Sequence, residues 1–159
     1  MLVVSASCAC FPRVFVRACV HTPGHDNDSI SLFDELTGTL FSGDSLQGRG
    51  TPSAGVAFYQ SREEYLYTLD TVEKLPVKTI LAAHPFDPTD GVIQDVPAFL
   101  KLCRDTVYEY DRVLQEARKT CQTMPEFVDY LLEKSGIERH PSIPVLTWHT
   151  VATHLKKRK

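Results

Sequence analysis

The chain has 159 residues, of which 43% are apolar, 9% aromatic and 23% charged, so disordered, collagen-like and repeat classes are excluded. A single core of this length buries roughly two thirds of the unfolded surface. With 17 Lys+Arg against 20 Asp+Glu the formal net charge is -3, which supplies no chain-wide attraction for nucleic acid or an acidic membrane and leaves a small neutral or anionic substrate open.

Residues 1–11 are apolar and small but fall well short of the ~20 residues of a spanning helix. They also lack the positive start of a secretory signal, since Arg13 and Arg17 follow the apolar run. The five cysteines, Cys8, Cys10, Cys19, Cys103 and Cys121, form no regular framework, and reduced thiols in a cytoplasmic setting are expected. Residues 14–20 (VFVRACV) predict a strand that stops at His21-Thr22-Pro23-Gly24-His25, where Pro and Gly break regular structure. Residues 30–33 and 39–41 predict a hairpin around DELTG, and Ser42-Gly43-Asp44 leads into a polar, Gly- and Ser-rich loop over 45–55.

Ser61 with Glu64 forms a capping box, and Tyr65, Leu66, Leu69, Val72 and Leu75 then recur at helical spacing up to Pro76. Residues 77–83 (VKTILAA) predict a buried strand ending at His84-Pro85, and the helix before it implies a mixed sheet. Beyond Asp95 the pattern turns helical, with Val96, Leu100, Cys103, Val107, Tyr110, Leu114 and Ala117 on one stripe. A second capping box, Thr123 and Glu126, opens a helix stopped by Gly136, and a last helix from about Pro144 carries Trp148, Val151, Ala152 and Leu155 on one face. His140, His149 and His154 read as surface residues of that tail, and the Lys-rich end as a solvated terminus.

His25, Asp44 and His84 each lie one or a few residues beyond a predicted strand, in loops containing Gly or Pro. Strand ends of one sheet can converge on one edge, and imidazole with carboxylate suits zinc, or iron or manganese. Taken singly, each has a plainer role: a loop residue, an Asx-turn former, a strand-end hydrogen-bonding group.

The segments Val20-His21-Thr22-Pro23-Gly24-His25, Ser29-Ile30-Ser31-Leu32-Phe33, Thr37-Gly38-Thr39-Leu40-Phe41-Ser42-Gly43-Asp44 and Ala82-Ala83-His84 resemble the metallo-β-lactamase superfamily in order and spacing. The resemblance spans about residues 14–93. It implies that His25 binds a first metal, Asp44 bridges two and His84 binds the second, with zinc expected and a metal-bound hydroxide attacking an ester, thioester, lactone or phosphodiester. It further implies an α/β fold of the αββα type, a mixed sheet over residues 1–93 followed by a helical carboxy-terminal extension over 94–159.

The family's other signature, H-x-H-x-D-H, is not in this sequence, and the residues before His21 contain no His, Asp or Glu. A half-sandwich is therefore expected, with weak metal binding and impaired hydrolysis, and with self-association or a missing amino-terminal half as its complement. A non-catalytic remnant acting as an interaction module is the alternative. Cys8 and Cys10 read as small hydrophobes, and His21 as a residue bonded within its loop.

Overall fold

The computed structural model describes residues 18–51, 55–138 and 143–156. Strands dominate the first part of the described chain and helices the second: β1 Ala18–His21, β2 Ile30–Asp34, β3 Thr39–Gly43, β4 Gly50–Thr51, β5 Gly55–Val56, α1 Arg62–Glu73, β6 Thr79–Ala82, β7 Val92–Ile93, α2 Val96–Ala117, α3 Met124–Lys134 and α4 Ile143–Leu155. Five strands form one sheet in the order β1-β2-β3-β6-β7. Its pairs are antiparallel except β3 with β6, which is parallel. This is the mixed sheet that a helix between two strands requires, because α1 carries the chain back to the starting edge.

The predicted hairpin, the long stripe and the first capped helix are all present. Ser61 accepts a hydrogen bond from the Glu64 N–H at α1, Asp95 caps α2, whose seven stripe residues are all buried, and Thr123 and Glu126 close a capping box at α3. The strand predicted over 14–20 is observed from Ala18, its earlier part and Cys8 and Cys10 lying outside the described residues. The loop over 45–55 contains a small β4–β5 pair instead of being wholly irregular. Among the described residues no helix is long and apolar enough to cross a membrane, and Cys19, Cys103 and Cys121 are free thiols.

Registers produce two apolar rows. Ala18, Phe33, Leu40, Ile80 and Ile93 stand opposite one another in turn across the five strands and are buried. One residue away on each strand, Cys19, Leu32, Phe41, Leu81 and Val92 form the second row on the opposite face, where Leu32 is 37%, Phe41 43% and Val92 49% exposed. Since side chains alternate along a strand, the helices bury only the first row. Among the described residues this second row is covered only in part, whereas the stripe of α2 joins the buried core.

Helix α4 departs from the sequence reading. Trp148 is exposed, and the buried residues are Ile143, Thr147, Thr150, Val151 and Thr153. The physical reason is that α4 packs on backbone: the Thr150 hydroxyl donates to Ala57 O at 2.9 Å, and Thr153 Oγ1 accepts from the Arg62 N–H at 3.0 Å. His154 is likewise no surface residue. Its Nδ1 lies 2.9 Å from Asp111 Oδ1 and its Nε2 2.8 Å from the Tyr59 hydroxyl, while Arg62 Nε donates to both Asp111 oxygens at 3.1 Å. His149 meets Phe58 edge-on, and His140 lies outside the described residues.

Burial alone would raise the Asp111 pKa, but hydrogen bonds from His154 and Arg62, and their charges, hold it well below the usual carboxylate range. The folded chain thus binds fewer protons at this site than the unfolded chain. Its stabilisation is complete above the ordinary value of about 3.9 and is lost as the pH falls toward the depressed one. Asp111→Ala should cost about 3 kcal/mol at neutral pH and weaken the acid dependence of denaturant midpoints below pH 4. On the open face, Leu32→Ser with Phe41→Ser should lower the fluorescence of a dye that binds apolar surface, without loss of the far-ultraviolet helical signal.

Candidate metal centre

Parallel pairing sends β3 and β6 out of the sheet in the same direction, with Gly43 opposite Ala82. Asp44 and His84 therefore emerge side by side. The Ala83 N–H donates to Gly43 O at 3.0 Å, and beyond it the two loops pair again, Arg49 N–H to Asp87 O at 3.1 Å and Asp87 N–H to Gly50 O at 2.8 Å. Gly48 permits this approach: its φ is +53°, and a Cβ there would lie 2.6 Å from Asp87 O.

His84 Nε2 stands 3.5 Å from Asp44 Oδ1. That carboxylate oxygen is buried and makes no hydrogen bond, because 3.5 Å is long for one. Two ligands of a tetrahedral zinc, at roughly 2.0–2.2 Å each, stand about 3.4 Å apart, so the donor types and spacing fit a shared cation. A buried, unsatisfied carboxylate oxygen is otherwise costly.

His25 is placed differently. It is half-buried, four residues beyond β1, with its ring edge-on to Phe58 at 4.9 Å. Its Nδ1 lies 3.1 Å from Gln47 Nε2 and 3.3 Å from Phe58 O. The same Gln47 Nε2 donates to Asp44 O at 2.7 Å, so one amide links the His25 ring to the Asp44 backbone. Among the described residues no group of three or more His, Cys, Asp and Glu side chains is close enough to hold a metal ion. The structure thus pairs Asp44 with His84 and joins His25 to them only through Gln47.

The supporting residues carry no signature in the sequence. Thr22 Oγ1 lies 2.9 Å from both Ser31 Oγ and Ser45 Oγ, all three buried, which ties the loop after β1 to the loop after β3. The Thr68 hydroxyl donates to Pro23 O at 2.6 Å, and Gly24, with φ +129°, packs against the backbone of Tyr65. Tyr65 accepts the Gln47 N–H at 3.0 Å; burial pushes its phenol pKa up, so it stays neutral. Burial also pushes the Cys103 thiol, on α2, up to about 11, leaving it a packed hydrophobe at neutral pH. His21 bonds Asn27 O at 3.0 Å within its loop, as expected.

Residues 14–84 match the family model described as the metallo-beta-lactamase superfamily. A curated relative, Beta-lactamase-like protein 2 homolog of Drosophila melanogaster, is 37% identical over 65 residues, which are 41% of this chain and 20% of that protein. A solved metallo-beta-lactamase family protein from Thermus thermophilus superposes with a TM-score of 0.65 at 19% identity, over 87% of this chain and 42% of that one. The likeness to the solved structure reaches past the matched segment into the helical part, and it is a likeness of fold. The chain spans less than half the length of either protein. Segment 14–84 is thus similar to the metallo-beta-lactamase superfamily, and the mixed sheet followed by helices shares the fold of the solved Thermus protein.

Proposed function

We propose that the chain carries part of the centre of a metal-dependent hydrolase acting on an ester, thioester, lactone or phosphodiester. The observation that carries this reading is the buried, unsatisfied Asp44 Oδ1 beside His84 Nε2. Asp44, His84 and His25 would hold the metal, with zinc favoured by the imidazole and carboxylate donors and iron or manganese also suited. When bound, such a cation lowers the pKa of a coordinated water and offsets charge that develops on a substrate oxygen.

What the chain's own residues do is hold donors in place. The backbone pairs between the loops after β3 and β6 fix the spacing of Asp44 and His84. A cleft of about 550 Å³ is lined among others by Arg49 and Asp87 of these loops and by Tyr110 and Lys134 of the helical region, and none of the three candidate donors is among its lining residues. Its volume is in the size range of small-molecule sites.

A water-activating zinc site usually has three protein ligands and an open position, but with His25 and His84 holding different ions and Asp44 shared, each ion would keep only two ligands from this chain. Zinc titration of the chain at pH 7 should therefore give a dissociation constant in the micromolar range or weaker, weakened at least a further tenfold in Asp44→Ala and His84→Ala. Turnover of generic thioester and phosphodiester substrates should stay near background and rise when a segment bearing H-x-H-x-D-H is fused or added in trans. Zinc binding indifferent to both substitutions would remove the reading. Submicromolar binding lost in Asp44→Ala, with zinc-dependent turnover, would instead make the three residues a working mononuclear site.

A second reading, an interaction module, is favoured by the open apolar row through Leu32 and Phe41. On this reading the face receives a second copy of the chain or a further sheet layer. Light scattering should then show self-association at micromolar concentration, reduced by Leu32→Ser with Phe41→Ser; a monomer at all concentrations would count against it.

A further inference from the structure

His25 Nδ1 has two neighbours that make opposite demands. Phe58 O, at 3.3 Å, is a carbonyl and only accepts, so a bond to it needs a proton on Nδ1. Gln47 Nε2, at 3.1 Å, is an amide nitrogen and only donates, so a bond to it needs the Nδ1 lone pair. A neutral imidazole satisfies one of them at a time.

Gln47 cannot turn its amide to relieve the conflict. Its Oε1 accepts the Phe58 N–H at 3.2 Å, and its Nε2 donates to Asp44 O at 2.7 Å. A flip would set oxygen against the Asp44 carbonyl and N–H against N–H, losing both bonds in a side chain that is almost fully buried. One amide hydrogen therefore goes to Asp44 and the other is directed at His25. The contact with Gln47 lies within the ordinary N–H···N/O range and that with Phe58 O just outside it.

We propose that Gln47 is a positioning residue that holds metal-free His25 with its proton on Nε2, and that Phe58 O is the waiting acceptor for the other tautomer. With Nδ1 flanked by Gln47 and Phe58, a metal can approach only through Nε2. Binding there requires the proton to leave Nε2 and the ring to gain one at Nδ1, where Phe58 O accepts it, as a ligating histidine usually donates its second N–H to a carbonyl. Charge is conserved in this exchange: one N–H is lost, one gained, and the Gln47–His25 bond is given up. Gln47 thus opposes metal uptake at His25 while fixing the backbone of Asp44. The proposal rests on the metal-centre reading for its purpose, although the tautomer itself is a property of the metal-free chain.

The test is multiple-bond ¹H–¹⁵N correlation of the imidazoles in ¹⁵N-labelled full-length chain, metal-free, at a pH where the rings are neutral. In the wild type, His25 Nδ1 should resonate as the unprotonated nitrogen and Nε2 as the protonated one. The assignment should reverse in Gln47→Leu, where only Phe58 O is left to bond Nδ1. Gln47→Met is the second variant should leucine disturb the loop, and the wild-type spectrum decides the point without either. A protonated Nδ1 in the wild type, or an unchanged tautomer in a folded variant, would overturn the proposal. Added zinc should reverse the wild-type tautomer; if it leaves the His25 nitrogens unchanged while the metal-free assignments stand, it is the metal-binding reading of His25 that fails.

Discussion

The parallel pairing of β3 with β6 is the constraint on which the site depends. Antiparallel neighbours leave a sheet at opposite edges, and such a pair would have put Asp44 and His84 at opposite ends of their strands. Helix α1 makes the parallel arrangement necessary, since it returns the chain to the edge from which β3 started. Once Gly43 faces Ala82, the next residues of both strands share one edge, the usual place for a ligand in a sheet with parallel strands.

Short loops, each satisfied by its neighbours, turn this proximity into a fixed geometry. The buried hydroxyls of Thr22, Ser31 and Ser45 satisfy one another between the first and third strands, and Gln47 uses its whole amide on Asp44, His25 and Phe58. In surroundings of low dielectric, an unmade bond in such a network costs more than a made one contributes. The loops therefore hold one arrangement, while the Asp44 oxygen facing His84 stays unsatisfied.

At the other end of the core, the helical region is attached by polar contacts as well as by packing. Asp111 of α2, His154 of α4, Arg62 of α1 and Tyr59 before it meet in one partly buried cluster, with Tyr59 stacked on Tyr65, 4.6 Å between ring centroids. Because Tyr65 also bonds the Gln47 N–H, the cluster that docks α4 and the loop that carries Asp44 rest on the same pair of aromatic rings.

Much of this was legible in the residue order. Caps at Ser61 and Thr123, the seven-residue stripe of α2, the hairpin around DELTG, and the placing of His25, Asp44 and His84 just past strands all follow from local rules, because propensity, capping and periodicity act within a few residues. The TPGH and G-D segments also pointed to the superfamily. Tertiary structure decided what depends on partners distant in sequence. Trp148 stands exposed while Thr150 and Thr153 are buried, because their hydroxyls meet backbone groups of Ala57 and Arg62, whose needs no periodicity encodes. His154 became a buried bridge because Asp111, 43 residues away, faces it. Gln47, without any motif, became the contact between two candidate ligands because folding brought Phe58, Asp44 and His25 around a single amide.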